Sequence, residues 1–187
     1  MIDRLAVVLS GRFQPFHRGH HDAYAWLVAR FGSESVWIAT SDRQDKVGRP
    51  APFGFDEKRR IISTLFEVPP DRIVCIKSPY APKEILEHLD PERTAYVAAL
   101  GQRDAGRLKS RYWAPFPDDG PWEPYPGRGY VLVLPPMADD LSATRIRETL
   151  GDPSSSREAK ERAFRAWYPR FDQELFELLV ERLSLRP

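Results

Sequence analysis

The sequence has little cysteine and no long apolar run. Cys75 is the single cysteine among 187 residues, which excludes an internal disulfide framework and any zinc site built from several cysteines. No stretch of about 20 apolar residues occurs, so we expect no transmembrane helix and no membrane partner. The first residues lack the long apolar segment of a signal peptide. A cytoplasmic protein is therefore expected.

Net charge is also nearly absent. The chain has 28 Lys and Arg residues against 27 Asp and Glu residues, a formal net charge of +1. This balance argues against a protein that coats nucleic acid by bulk electrostatics, so no nucleic acid partner is expected. It leaves room for a local cationic pocket that binds one small anion. The hydrophobic fraction of 42% and the charged fraction of 29% are ordinary for a folded globular domain.

Short apolar runs alternate with segments of helical spacing along the chain. This alternation predicts a parallel sheet with right-handed crossovers and helices on both faces, a doubly wound, Rossmann-like α/β fold. We expect five strands, a domain over residues 1–151, and a small C-terminal helical extension over residues 152–187 packed on the same core. The predicted strands cover residues 5–9, 35–40, 72–77, 94–100 and 130–134. The predicted helices cover residues 20–31, 56–66, 82–89, 157–167 and 172–183, with a further helix opening after Ser142.

Residues 112–129 differ from the rest in being rich in proline and aromatic side chains. They are too aromatic for a plain flexible linker. We favour an ordered flap over the ligand site, because long loops in compact domains are often functional. A loop that merely packs on the surface is the alternative.

The most informative string is GRFQPFHRGH, residues 11–20, between the first predicted strand and the first predicted helix. Gly11 would let the backbone approach a ligand closely. The amides at the start of the helix would face the same place and favour an anion there. His17 and His20 could then both point at one phosphate chain, and phosphates nearby would favour their protonated, cationic form.

A second candidate anion site is LSATRIR, residues 141–147, which follows the fifth predicted strand. Ser142 can cap the helix that begins there, Thr144 can donate a hydroxyl, and Arg147 lies one turn further on. Taken alone, this string fits an ordinary helix cap with solvated arginines equally well.

Together the two strings resemble the nucleotidyltransferase superfamily, which has an H-x-G-H signature and a late S-S-T-x-x-R signature. Here Ala143 stands at the second serine. The fuller string GRFQPFHRGH looks like the archaeal-type nicotinamide mononucleotide adenylyltransferases, as does RPAPF at residues 49–53, followed by EKR at residues 57–59. The resemblance follows the order of elements over roughly residues 5–150 and is most specific at the two signatures.

The resemblance implies roles for individual residues. His17 and His20 would contact the triphosphate, while Arg12 and Arg147 would neutralise charge as pyrophosphate leaves. Gly101 matches the glycine where the adenosine lies. ATP is expected to bring Mg²⁺, for which the sequence assigns no ligands. Further residues predicted to bind ATP are Gly11, Phe13, Gln14, Gly19, Asp104, Ser142, Thr144 and Arg145.

The expected partners are ATP and a small phosphorylated acceptor. For nicotinamide mononucleotide, Lys46 and Arg49 would hold the phosphate, Arg49 by resemblance, while Trp113 and Trp122 would stack on the cationic ring. The acceptor phosphate would attack the α-phosphorus of ATP, with catalysis by positioning and charge stabilisation. Another acceptor (phosphopantetheine, or a polyol phosphate with CTP) and a non-catalytic nucleotide sensor stay open, as does a homo-oligomer.

Overall fold

The computed structural model describes residues 1–42, 51–137 and 141–184. The chain divides into two compact units. The first, which we call the sheet unit, consists of Met1–Gly11, Ala23–Ser41 and Arg72–Met137. The second, the motif unit, consists of the described parts of Arg12–Asp22, Asp42–Asp71 and Ala138–Pro187. These units interleave along the sequence, and the domain boundary expected near residue 151 stays a prediction.

The sheet unit contains a parallel sheet, as expected, but with six strands instead of five. Its strand order is β3-β2-β1-β4-β6-β5. The strands are β1 (Arg4–Ser10), β2 (Val36–Thr40), β3 (Ile73–Cys75), β4 (Thr94–Leu100), β5 (Trp113–Pro115) and β6 (Gly129–Val133). The additional strand is β5, which pairs with β6 at the edge of the sheet. Three residues ending in proline are too few to give a recognisable strand period, so the sequence offered no signal for it.

The central strands read as continuous apolar runs because they are buried on both faces of the sheet. All seven residues of β4 are buried, and β1 pairs with it from Arg4↔Thr94 to Leu9↔Ala99. One face of the sheet packs against an apolar cluster that includes Ala6 and Ala98. That cluster also takes in residues of the segment 112–129, including Trp113 and Tyr125.

The segment 112–129 is therefore a packed part of the sheet unit. The hydroxyl of Tyr112 donates to the carbonyl of Tyr125 at 2.7 Å, and Trp122 stacks on Phe116 with ring centroids 6.0 Å apart. Arg30 forms an ion pair with Asp118. Its packing on the sheet unit is common to both interpretations of the segment, and its action as a flap over a ligand stays a prediction.

Seven α-helices lie in the described residues. They are α1 (Arg18–Phe31), α2 (Phe55–Phe66), α3 (Lys83–Leu86), α4 (Gln102–Ala105), α5 (Ala143–Gly151), α6 (Arg157–Trp167) and α7 (Gln173–Ser184). Helix α4 has four residues and was not predicted. No helix in the described part of the chain is long and apolar enough to span a membrane.

The motif unit is built on the apolar faces of α2, α5, α6 and α7. Ile61, Ile62 and Leu65 of α2 are fully buried, and α5 packs against both α6 and α7. Gly151 at the end of α5 lies close to the backbone of Leu183 in α7: a Cβ at this glycine would stand 2.6 Å from the Leu183 carbonyl oxygen. The C-terminal helices thus share a unit with the GRFQPFHRGH string.

Candidate functional site

The two histidines of the string lie ring to ring at the start of α1, in the motif unit. Their ring centroids are 3.8 Å apart with an angle of 36° between the planes. The carbonyl of His17 accepts hydrogen bonds from the amides of His20 and His21 at 2.9 and 3.1 Å, so His17 caps the helix with its backbone. In return, the amide of His17 donates to Nδ1 of His20 at 3.3 Å.

His20 is neutral in this structure at neutral pH. Its ring packs against Phe13 at 4.9 Å and Phe16 at 5.3 Å between centroids. Burial, followed by the proximity of His17, lowers the pKa of His20 from 6.5 to about 3. The protein by itself therefore holds this histidine uncharged, in contrast to the cationic pair that the sequence suggested.

The hydrogen bond from His17 also defines which nitrogen of His20 is protonated. Nδ1 accepts that bond, so the neutral ring carries its proton on Nε2. Nε2–H is a donor of the kind that binds a phosphate oxygen.

Gln14 anchors the string to the segment before α2. Its side-chain nitrogen donates to the carbonyl of Phe53 and its side-chain oxygen accepts from the amide of Phe53, each at 2.9 Å. Both residues are buried, with Phe53 fully inaccessible. Gln14 was expected to bind ATP. Its side-chain amide is instead engaged with the protein backbone, and any contact with ATP stays a prediction.

Arg147 brings the two signature strings together. From α5, its Nη1 donates to the carbonyl of Gln14 at 2.6 Å, and its Nη2 donates to Oγ1 of Thr144 at 2.9 Å. The sequence separation between Arg147 and Gln14 is 133 residues. The guanidinium and the histidines therefore belong to one backbone-linked arrangement within the motif unit.

The start of α5 has the cap that the sequence predicted. Oγ of Ser142 accepts from the amide of Arg145 at 3.1 Å. The side chains of Thr144 and Arg145 are exposed. Arg12 is exposed as well, whereas Phe13 is buried.

Two further side chains bind carbonyls of the string, and the sequence did not identify either as part of the site. Nζ of Lys58, whose side chain is buried, lies 3.5 Å from the carbonyl oxygen of Arg12. The hydroxyl of Tyr168 donates to the carbonyl of Phe16 at 3.3 Å. Lys58 could have been suspected from the EKR string at residues 57–59. Tyr168 gave no signal, because it lies beyond both signatures, just after α6.

Phe13 has a backbone conformation that is unusual for a residue other than glycine. Its φ is 46°, in the left-handed region that costs such residues about 1–2 kcal/mol. Packing of its ring against Phe16 and His20 accompanies this conformation. The turn thus orients the aromatic ring beside the histidine pair.

Other predicted residues lie in the sheet unit. The amide of Gly11 donates to the carbonyl of Ala39 at 3.0 Å. Gly101 follows β4, is exposed, and has nothing within 4 Å of where a Cβ would stand. Asp104 forms an ion pair with Arg107 at 2.7 Å.

The predicted acceptor residues are described only in part. Trp113 lies in β5 with its ring edge-on to Tyr96 and Tyr112, and the indole nitrogen of Trp122 donates to the carbonyl of Pro117 at 2.9 Å. Both tryptophans keep some exposure, and their stacking on an acceptor stays a prediction. Lys46 and Arg49 lie outside the described residues.

The described residues contain no cluster of three or more His, Cys, Asp or Glu side chains suited to hold a metal ion. The described residues therefore do not by themselves form a complete ligand shell for Mg²⁺, an ion that often binds through substrate phosphates and water.

The sheet is parallel and flanked by helices, and within the motif unit the bond from Arg147 to Gln14 joins the two signature strings. Residues 8–149 match the cytidylyltransferase-like family. The chain belongs to this family.

Several solved structures have a similar fold. Nicotinic acid mononucleotide adenylyltransferase of Plasmodium falciparum, complexed with NaAD, has a TM-score of 0.60 at 10% identity, over 98% of each chain. A Vibrio parahaemolyticus protein named as a nicotinate-nucleotide adenylyltransferase has a TM-score of 0.55 at 14% identity, over 95% of this chain and 99% of that one.

A bifunctional NMN adenylyltransferase/ADP ribose pyrophosphatase of Francisella tularensis has a TM-score of 0.58 at 15% identity. It is matched over 98% of this chain and 50% of its own. Identities this low establish the fold alone, so the archaeal-type resemblance stays a prediction. No curated protein matches the sequence.

Proposed function

We propose that the chain is an adenylyltransferase that moves AMP from ATP to the phosphate of nicotinamide mononucleotide, giving NAD and pyrophosphate. The observation that carries the proposal is the bond from Arg147 to the Gln14 carbonyl, which joins the late signature to the histidine signature. A guanidinium hydrogen-bonded to the backbone of the loop that bears two imidazoles is suited to a polyphosphate. The solved structures of similar fold are named as mononucleotide adenylyltransferases, which supports this acceptor class.

The chemistry needs no nucleophile from the protein. An oxygen of the acceptor phosphate attacks the α-phosphorus of ATP, the bond from that phosphorus to the bridging oxygen breaks, and pyrophosphate carries away the electron pair. Catalysis then consists of positioning the reactants in line and stabilising the charge that develops on the leaving group.

We assign a role in that scheme to five residues of the motif unit. Nε2–H of His20 donates to a phosphate oxygen, while His17 caps α1 and holds the imidazole of His20 through its own amide. Arg147 contributes a positive charge beside the string, and the exposed Arg12 and Arg145 add further positive charge. Mg²⁺, arriving with ATP, would neutralise phosphate charge when bound.

The test is a panel of nucleotide and acceptor pairs. The purified protein is incubated with ATP or CTP, Mg²⁺, and each of nicotinamide mononucleotide, nicotinic acid mononucleotide, phosphopantetheine and glycerol phosphate. Pyrophosphate release is followed, and the products are separated by chromatography. We expect NAD from ATP and nicotinamide mononucleotide.

Other results of the panel would redirect the assignment. Pyrophosphate formed only with phosphopantetheine, or only with CTP and glycerol phosphate, would replace the proposed acceptor. Tight ATP binding with no turnover on any acceptor would identify a nucleotide sensor and contradict the proposal.

A further inference from the structure

The peptide group between Phe16 and His17 is hydrogen-bonded at both ends by side chains. Its carbonyl oxygen accepts from the Tyr168 hydroxyl at 3.3 Å. Its N–H donates to Nδ1 of His20, also at 3.3 Å. A chain of hydrogen bonds therefore runs from the tyrosine through one peptide group to the imidazole.

Such a chain strengthens itself, because a donor on the carbonyl polarises the amide and makes its N–H a better donor. It also fixes the plane of the peptide, and with it the direction in which the His17 N–H points. If the Phe16 carbonyl lost its donor, the peptide could rotate and release Nδ1 of His20. The imidazole would then be free to exchange its proton between the two nitrogens.

We infer that Tyr168 is a positioning residue that holds His20 in its Nε2–H tautomer through the Phe16–His17 peptide. This gives the C-terminal region after α6 a part in presenting the imidazole donor to a phosphate. The inference rests on the proposed function only where it identifies that phosphate as part of the bound nucleotide.

Tyr168 is well suited to this role. Its side chain is 2% exposed and its ring packs against Phe164 at 4.5 Å and Phe66 at 5.7 Å between centroids. Burial raises the pKa of the Tyr168 phenol above its ordinary value, so the hydroxyl remains a neutral donor. The ring makes the packing contacts and the hydroxyl makes the hydrogen bond. Tyr168→Phe therefore removes the hydrogen bond and keeps the aromatic ring.

The first experiment measures the tautomer of His20 by NMR of protein labelled with ¹⁵N-histidine, from couplings between the ring nitrogens and carbon-bound protons. In the unaltered protein we expect the Nε2–H form to predominate. Tyr168→Phe should raise the ratio of the Nδ1–H form to the Nε2–H form by about 3- to 10-fold. A change of this size corresponds to the net free energy of one neutral hydrogen bond.

The matched control is Tyr125→Phe in the sheet unit. It removes a hydroxyl that donates to the Leu86 carbonyl at 3.2 Å, a bond of similar length and type. The tautomer of His20 should not change in this variant. An Nδ1–H tautomer in the unaltered protein, an unchanged ratio in Tyr168→Phe, or an equal change in both variants would overturn the inference.

The second experiment is a double-mutant cycle on ATP affinity, measured by calorimetry. Tyr168→Phe should weaken ATP binding by the factor by which the measured Nε2–H fraction falls, at most about tenfold. In a His20→Gln background it should have no further effect, because a carboxamide side chain has no tautomers between which the Phe16–His17 peptide could select. A purely structural contribution of the hydroxyl would give the same loss in both backgrounds and would contradict the inference.

The two proposals fail separately. If the protein forms no NAD but the tautomer responds to Tyr168→Phe, the proposed function is wrong and the positioning role stands. If NAD forms and the tautomer does not respond, only the positioning role is wrong.

Discussion

The side chain of Gln14 forms two hydrogen bonds with the backbone of Phe53, one donated and one accepted, each 2.9 Å long. The same glutamine accepts the bond from Arg147 on its own carbonyl. Gln14 thus joins the string that bears the histidines to the segment before α2 and to α5. Its hydrogen bonds link three parts of the motif unit: the string, the segment before α2, and α5.

Replacing Gln14 should destabilise the motif unit. Gln14→Leu leaves the amide and the carbonyl of Phe53 buried without these partners, which costs about 1–3 kcal/mol for each unsatisfied group. Gln14→Glu keeps the acceptor but sets an oxygen against the Phe53 carbonyl, so it should also destabilise. Unfolding in urea measures the loss.

The control for this prediction is Gln102→Glu, at an exposed position in α4. The same chemical change there should alter the free energy of unfolding by less than about 0.5 kcal/mol. Equal stability of Gln14→Leu and the unaltered protein would show that the paired bonds to Phe53 contribute nothing.

The burial of His20 should make stability depend on pH. Its pKa is 6.5 in the unfolded chain and about 3 in the folded protein, so between these values the unfolded state binds the extra proton. The contribution of neutral His20 is therefore fully present above pH 6.5 and is lost as the pH falls towards 3. The loss approaches about 1.4 kcal/mol per pH unit.

His20→Gln removes this titration and should flatten the dependence of the unfolding free energy on pH in that window. His88→Gln serves as the control, because it makes the same chemical change at an exposed histidine; it should alter the free energy of unfolding at neutral pH by less than about 0.5 kcal/mol. Equal slopes for the unaltered protein and His20→Gln would contradict the lowered pKa.

Removing the guanidinium of Arg147 should mainly affect turnover. Arg147→Ala deletes the positive charge beside the string and the bond to the Gln14 carbonyl. Losing one donor that stabilises developing charge typically lowers the rate by about 10²–10³-fold. The measurement is kcat for NAD formation, with circular dichroism to verify that the fold is retained.

Arg162→Ala is the matched control for that prediction, because it removes an exposed arginine from α6 in the same unit. Its kcat should equal that of the unaltered protein. Near-normal turnover in Arg147→Ala would remove Arg147 from the catalytic machinery.

Gly101 offers a test of the adenosine position implied by the resemblance. A Cβ there would meet nothing within 4 Å, so Gly101→Ala should change the free energy of unfolding by less than about 1 kcal/mol. If the adenosine lies against this glycine, the added methyl should weaken ATP binding by about tenfold or more, an effect of about 1.4 kcal/mol. Calorimetric titration with ATP measures it.

Gly106→Ala, at the end of α4, provides the comparison. Its backbone conformation is helical, and the nearest atom to its Cβ would be the Arg103 carbonyl at 4.0 Å. We expect unchanged ATP affinity in this variant. Unchanged affinity in Gly101→Ala as well would place the adenosine elsewhere.

The sequence predicted the elements whose local pattern is strong. Residues 94–100 and 157–167 were predicted with the bounds that β4 and α6 have, because a continuous apolar run and a capped amphipathic repeat are local signals. Strand β5 and helix α4 were missed. They have three and four residues, little more than one repeat of the strand period of about 2 or the helix period of about 3.6 residues, which is too short for a recognisable pattern.

For the candidate site, the sequence by itself determined which chemical groups are present: two histidines at a helix start, and a capped helix that carries Arg147. Only the tertiary structure decided which of these groups are hydrogen-bonded to one another and which are buried. It set the bond from Arg147 to the Gln14 carbonyl, the pairing of Gln14 with Phe53, and the bond from Tyr168 to Phe16. Hydrogen bonds between residues 39 to 152 positions apart depend on how helices pack. Burial of His20, which determines its charge, depends on the same packing and is therefore invisible in any local pattern.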